Sequence, residues 1–304
     1  MTVPDGPRPS ADRDESSSWL DALPHLVEEL LAEWELTVDG PPAHGRRALV
    51  LPVSTGDGTP AALKLSRPHH ESRYEHLALQ HWHGQGSVLL LRADPRRWAL
   101  LLERAQQRDL RSLDDVEACT VVGGLLARLH RPAPPQLALL SVAAADWSAR
   151  LSGLPRSAPL PRRLVEQSSG LCRDLASDPA TDGTLIHTDA HHENVLAAER
   201  EPWLVIGPKP LSGDPHFEPA PLLSHRWDEL VAASDLRWAV RRRLDAVVDA
   251  LGLDPDRARD WVVVRETVHA LWSIEAARDA GRALTPADRE RITRAVTIAK
   301  AVQD

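Results

Sequence analysis

The sequence predicts an α+β fold in two parts: a small antiparallel sheet with one main helix, followed by a larger and mainly helical region. Three observations carry that reading. Short apolar runs at 48–66 and 87–104 (ALVLPV, AALKLS, SVLLLRA and WALLLER) are broken by the turn signals TGDG and DPRR, as in paired strands. A stretch of helical periodicity separates the two pairs. Beyond Arg104 the apolar spacing becomes helical, and helical residues flank each Pro-rich interruption, PAPP and GLPRSAPLPRR, so these read as loops and not as domain linkers.

Taken in order, residues 1–18 are polar with Pro and Gly and lack the apolar core of a secretory signal, which predicts a disordered tail. Leu23, Leu26, Val27, Leu30, Leu31 and Trp34 then share one helical face, with Pro24 tolerated in a first turn. The hairpin at 48–66 precedes a helix from about His70 to Trp82, and the second strand pair completes a first lobe at 19–104. In the second lobe, 105–304, a helix over Leu113 to Leu129 has Ser112 and Asp115 as a capping pair. A second hairpin is expected among LIH, NVLAA and WLVI between Leu185 and Ile206. From Leu222 onward the pattern is helical, including Arg237 to Leu251 closed by Gly252. No internal repeat is present.

Composition excludes several classes. At 304 residues the chain is long enough for two lobes with sizeable cores. Hydrophobic residues at 42% and charged residues at 26% argue against collagen-like, coiled-coil and wholly disordered chains. Lys plus Arg number 36 against 44 Asp plus Glu, a formal charge of −8, which argues against a nucleic-acid partner. No apolar run approaches the length of a membrane span. Cys119 and Cys172 stand far apart, so neither a disulfide framework nor a thiolate metal site is indicated, and a reducing cytoplasm is the expected compartment. The ten Trp against one Tyr and one Phe are assigned no function.

The segment that carries chemistry is LIHTDAHHENVLAAEREPWLVIGPK, where His187, Asp189 and Asn194 satisfy H-x-D-x-x-x-x-N between apolar runs. This is the spacing of a phosphotransfer catalytic loop: Asp189 accepts a hydroxyl proton, Asn194 turns an amide oxygen to a magnesium ion on nucleotide phosphates, and His187 braces the loop. Two other readings stand beside it. His187, Asp189, His191 and His192 could ligate a metal as in a metallohydrolase, or the histidines could be surface residues without a role. Upstream, Lys64 is the only lysine of the first lobe and sits inside an apolar run, where an inward-facing charge requires a partner. Glu71 and Glu75 are one helical turn apart on the next segment, with Glu75 preferred and Glu71 in reserve. A solvent-facing strand residue is the plain alternative for Lys64.

The runs ALKLSRPHHESRYEHLAL, WHG with ALLLER, LARLH at 126–130, HTDAHHENVL and EPWLVIGPKPLSGDPHFEPAPLL together resemble the aminoglycoside phosphotransferases, within them the streptomycin 6-kinase and hydroxyurea phosphotransferase group. The resemblance covers about residues 36–275. It implies a two-lobed protein-kinase-like fold with ATP in the cleft. It also implies a hinge near Leu101, Leu102, Glu103 and Arg104 whose backbone meets adenine. No G-x-G-x-x-G is present, and Gly40 and Gly45 are weak candidates for a phosphate loop.

Two departures from the family pattern stand out. Where the family has Ile-Asp-Pro, with an aspartate on magnesium, this chain reads Ile206, Gly207, Pro208, so a strong ligand for a hard cation is missing. Glu193 stands where the family commonly has Gly, which places a carboxylate beside Asn194 as a candidate substitute ligand. Asp214 and Glu218 are further acidic candidates, with capping or loop bracing as their plain reading. For a cationic, polyhydroxylated acceptor the helical region offers Asp228, Glu229, Glu266 and Glu275, each also readable as a solvated residue. Arg241, Arg242 and Arg243 read as surface charge. The expected function is an ATP-dependent phosphotransferase acting on an alcohol of a small, aminoglycoside-like molecule with a degenerate Mg2+ site. The alternatives are a pseudokinase that binds nucleotide or a partner, and a peptide-hydroxyl kinase.

Overall fold

The computed structural model describes residues 11–44 and 47–303. The first helix, α1 (Ala11–Glu33), begins within the segment expected as a tail, so residues 11–18 are helical and Pro24 lies inside the helix. Residues 1–10 of that expected tail lie outside the described residues.

A six-stranded antiparallel sheet follows, made of β1 (Thr37–Val38), β2 (Ala43–His44), β3 (Ala48–Ser54), β4 (Pro60–Ser66), β5 (Leu90–Asp94) and β6 (Ala99–Glu103) in the order β1-β3-β4-β6-β5, with β2 also on β3. Side chains alternate across it. Leu63, Leu65 and Leu101 face α1, where Leu30, Trp34, Leu49 and Leu51 complete one core. Leu100 and Leu102 face the other way, onto Ala78, Leu79 and Trp82 of α2 (Glu75–Trp82). Lys64 is paired in register with Leu100, so the two-residue period puts it on the α2 side. The expected helix from His70 is in two pieces, a 3-10 turn at His70–Ser72 and then α2.

The second region contains α3 (Asp115–Leu129), β7 (Arg131–Pro132), α4 (Leu140–Ser152), α5 (Arg162–Ser177), β8 (Thr184–Ile186), β9 (Val195–Ala197), β10 (Trp203–Val205), β11 (Leu211–Gly213), α6 (Ala220–Ser224), α7 (Trp227–Ala232), α8 (Leu236–Leu251), α9 (Pro255–Asp279) and α10 (Pro286–Ala301). The N-cap of α3 is Asp114, whose carboxylate accepts from Val116 N, and not the expected Ser112, which donates to Asp109 O instead. The expected hairpin resolves into two pairings. NVLAA pairs with WLVI as β9-β10, whereas LIH belongs to a sheet of order β11-β8-β7. Gly252 closes α8 in the left-handed conformation, as expected.

Helices α3 and α8 approach closely at Gly123, where a Cβ would lie 2.6 Å from that of Ala250. This contact belongs to a central core that runs from α2 and β6 through α3 to β8, β10 and Val247 of α8, joining the two regions. A backbone clamp lies beside it: Val88 N donates to Val205 O (3.1 Å) and Val205 N to Gly86 O (3.0 Å). No helix among the described residues is long and apolar enough to cross a membrane.

Candidate active site

Lys64 leaves β4 toward α2, and its Nζ donates to Glu75 Oε1 at 2.6 Å. Glu75 is almost wholly buried, so the pair satisfies a carboxylate that burial would otherwise penalise. Glu71 is turned elsewhere, to Arg47 (3.3 Å) and to Lys209 (3.7 Å).

The loop after β8 is held by interior polar contacts. Glu218, fully buried, accepts from His187 N (2.6 Å) and Thr188 N (2.8 Å). Thr188 has φ of +62°, a conformation costly for a β-branched residue. Its nitrogen is taken by Glu218, its hydroxyl by Lys209 O and its carbonyl by Arg265. His187 Nδ1 accepts from Asp189 N (3.1 Å), which leaves Nε2 to carry the proton and donate to Ile206 O (3.1 Å). Burial keeps that imidazole neutral by pushing its pKa down. Its ring stacks on Trp82, whose indole is fixed on Leu129 O, so the loop is keyed to α2. Glu218 thus braces the loop, and Asp214 caps the turn at Pro215–Phe217 while accepting from Arg257 and Trp261.

Asn194 Nδ2 donates to Asp189 O at 2.8 Å, which turns Oδ1 the other way. A Cβ built on Gly207 would lie 3.8 Å from that Oδ1 and 4.0 Å from Lys64 Nζ. The ammonium on the sheet and the amide on the loop therefore border one point, and it is the point at which a side chain at 207 would begin. Gly207 holds φ of +65°, so the backbone already takes the left-handed form that glycine favours.

Glu193 is not among the atoms within 4 Å of that point. It is half exposed and paired with Arg111 at 2.9 Å, which draws it away from the role of substitute ligand. The four-residue metal cluster expected under the hydrolase reading is also not formed. Both ring nitrogens of His187 are engaged, and among the described residues the groups close enough to share an ion are Asp115 with Cys119 and His192, and His191 with Glu193 and His225.

One functional candidate was absent from the sequence reading. Lys209 Nζ lies 3.0 Å from Asp189 Oδ2. Burial alone would raise the Asp189 carboxyl, but the Lys209 ammonium in contact with it, with Arg265 behind, holds it below the ordinary carboxylate range. The available signal was scarcity, since lysine occurs at positions 64, 209 and 300 only. Burial and the stacked His225 push His191 down to about 3, so the imidazole beside Asp189 stays neutral.

At the expected hinge, Glu103 accepts from Leu89 N and pairs with Arg200, and Arg104 reaches back to Asp39 and the carbonyls of Ala61 and Val53. Both side chains are committed to structure, and Leu101 points into the α1 core. Gly45 lies outside the described residues, and Gly40 packs on Pro52. Among the acceptor candidates, Glu229 pairs with Arg226 and Glu275 with Arg150, whereas Glu266 is buried with no hydrogen bond to Oε1, the nearest basic group being His269 Nδ1 at 3.6 Å. Arg243 corrects the expectation of surface charge: it is fully buried and donates to Asp115 at 2.6 Å.

An antiparallel sheet holding a lysine–glutamate pair, set against a helical lobe that presents a braced H-x-D-x-x-x-x-N loop, defines a phosphotransferase of protein-kinase-like fold. The chain belongs to the family described as aminoglycoside/hydroxyurea antibiotic resistance kinase, whose profile matches residues 33–277. It is 45% identical to a streptomycin 6-kinase of Streptomyces glaucescens over 95% of this chain and 92% of that one. It is 43% identical to a hydroxyurea phosphotransferase of Kitasatospora aureofaciens over 84% and 75%. Among solved structures, an amicoumacin kinase in complex with AMP-PNP and Ca2+ superposes with a TM-score of 0.62 at 13% identity, over 94% of this chain and 96% of that one. Family and fold are those of ATP-dependent small-molecule phosphotransferases.

Proposed function

We propose that this chain transfers the γ-phosphoryl group of ATP to a hydroxyl of a small molecule of the aminoglycoside or hydroxyurea kind, from a cleft between lobes 19–104 and 105–304 whose metal site has lost its carboxylate. The observation that carries the reading is the common border at Gly207: Lys64 Nζ, anchored on Glu75, and Asn194 Oδ1 flank one point beside the loop that bears Asp189.

In the step itself, Asp189 takes the acceptor hydroxyl proton as the oxygen bonds to phosphorus, and the bond from phosphorus to the ADP oxygen breaks. Asp189 suits this role because Lys209 keeps it ionised. Lys64 binds phosphate oxygens and Glu75 fixes its position. With the side chains of Glu103 and Arg104 committed elsewhere, adenine recognition falls to the backbone of the hinge. Glu266, buried beside Arg265 with a spare oxygen, is the carboxylate best prepared for a cationic acceptor group.

Mg2+ is expected to accompany ATP, but the donor set falls short of a cation site. It offers one neutral oxygen from Asn194, and the nearest other group is an ammonium. Neutralisation of phosphate charge therefore rests on Lys64, with Lys209 next to Asp189. The same shortfall favours a second reading, a pseudokinase that binds nucleotide without transfer. ATP titration with and without Mg2+, combined with transfer assays on streptomycin and hydroxyurea, separates the two. Transfer supports the kinase, binding without transfer supports the pseudokinase, and no binding defeats both.

A further inference from the structure

Behind the catalytic loop, on the side away from Lys64, three side chains with metal-ligating atoms converge. Asp115 and Cys119 stand one turn apart on the same face of α3, and His192 comes from the short turn that also carries Asn194. One carboxylate oxygen, Sγ and one imidazole nitrogen all lie within 4.8 Å of one another. His192 is fully buried and neither of its ring nitrogens has a hydrogen-bond partner, a rare state for an interior imidazole. Asp115 Oδ1 has none either, and His192 Nε2 stands 3.5 Å from it without hydrogen-bond geometry.

The surroundings resemble the outer support of a metal site. Asp115 Oδ2 accepts from Arg243 Nε at 2.6 Å, and Arg243 is itself fixed on Leu222 O, so the carboxylate is oriented with its other oxygen left over. The nearest competing cation, Arg226, is 3.8 Å from Oδ1 and is tied more closely to Glu229 at 2.6 Å. Asp115 is partly exposed and gives the cluster a route to solvent.

We propose that Asp115, Cys119 and His192 bind one thiophilic divalent cation of the Zn2+ class. A mixed sulfur, nitrogen and oxygen set suits Zn2+ and not Mg2+, which takes oxygen ligands. On ligation the Cys119 thiol releases its proton to solvent and the sulfur–metal bond forms, with no change in oxidation state. Thiolate and carboxylate bring two negative charges to the ion, the second of them shared with Arg243. A bound ion ties α3 to His192, two residues from Asn194, and so stiffens the turn that shapes the catalytic loop. The proposal does not depend on the phosphotransfer reading. It runs against the expectation, drawn from the wide spacing of Cys119 and Cys172, that no thiolate metal site is indicated.

The test uses the full, reduced chain. Cd2+ titration should give a saturable thiolate-to-metal charge-transfer band at one equivalent. The band should persist in Cys172→Ser, whose cysteine lies in a different core, and vanish in Cys119→Ser, with Zn2+ affinity at least tenfold weaker. X-ray absorption at the zinc edge of the wild-type complex needs no variant, and it should show one sulfur and at least one imidazole nitrogen. A zinc sphere without sulfur, a band that survives Cys119→Ser, or a band lost with Cys172→Ser would each overturn the proposal.

Discussion

Replacing Gly207 with aspartate is the perturbation that bears most sharply on the cleft. The new Cβ meets no atom closer than 3.8 Å, so the carboxylate enters open space bordered by Asn194 Oδ1 and Lys64 Nζ. At about 4 Å and an effective dielectric near 20, one pair of unit charges interacts by ~4 kcal/mol. Strain at φ of +65° weighs on the fold with and without the ion and cancels in binding, whereas giving up part of the carboxylate's attraction to Lys64 Nζ costs roughly 1 kcal/mol, leaving about 3 kcal/mol in favour of a cation held at this point. That corresponds to about a hundredfold tighter Mg2+ binding in the presence of ATP. The assay is ATP affinity as a function of Mg2+ concentration, which is independent of the acceptor. Gly207→Asp should shift the midpoint to lower Mg2+ by about two orders of magnitude and raise turnover with any acceptor the wild type accepts. An unchanged Mg2+ midpoint, with the variant still folded, would refute the assignment of Gly207 to the metal position.

Other perturbations have equally definite outcomes. Lys209→Met removes the strongest influence opposing burial of Asp189 and leaves only the weaker one of Arg265, so its carboxyl rises and the acid limb of the kcat/KM profile moves to higher pH; a limb that stays in place shows that Lys209 does not govern Asp189. Lys64→Met should lower kcat/KM by ~10²–10³, and Glu75→Gln by about tenfold, the latter mainly through ATP affinity; steady-state kinetics at varied ATP reads both. Glu218→Gln removes a buried carboxylate that accepts two backbone N–H groups and should cost ~2–4 kcal/mol by urea denaturation at pH 7. Although burial opposes it, the His130 imidazole 3.5 Å away and the backbone N–H of His187 hold the folded Glu218 below 4.5. Its contribution is therefore complete above that value and is lost as pH falls through the lower folded value. A cost that does not shrink in acid would contradict the bracing role.

Much of the fold was legible because its signals are local. A lysine inside the apolar run AALKL calls for a carboxylate partner, and Glu71 and Glu75 were the two offered by the next segment, so the pairing of Lys64 with Glu75 could be anticipated. The loop residues Asp189 and Asn194 were legible by spacing. What escaped depended on contacts distant in sequence. Arg243 is buried because α8 meets α3 at Gly123 and Asp115 awaits it there, neither of which its own helix reveals. Glu193 was misdirected because adjacency to Asn194 says nothing of which way a short 3-10 turn points its side chain, and Arg111 decides that. Lys209 met Asp189 only once the segment after β10 folded back along the loop, where Lys209 N donates to His187 O.

The most direct measurement follows labelled γ-phosphate from ATP to streptomycin and to hydroxyurea with the wild-type chain and with Asp189→Asn. Asp189 as the proton acceptor predicts transfer by the wild type and a loss of about 10²-fold or more in the variant, with ATP affinity little changed. Equal transfer by the two proteins would contradict it, and bound ATP with no transfer by either would assign the chain to the pseudokinases.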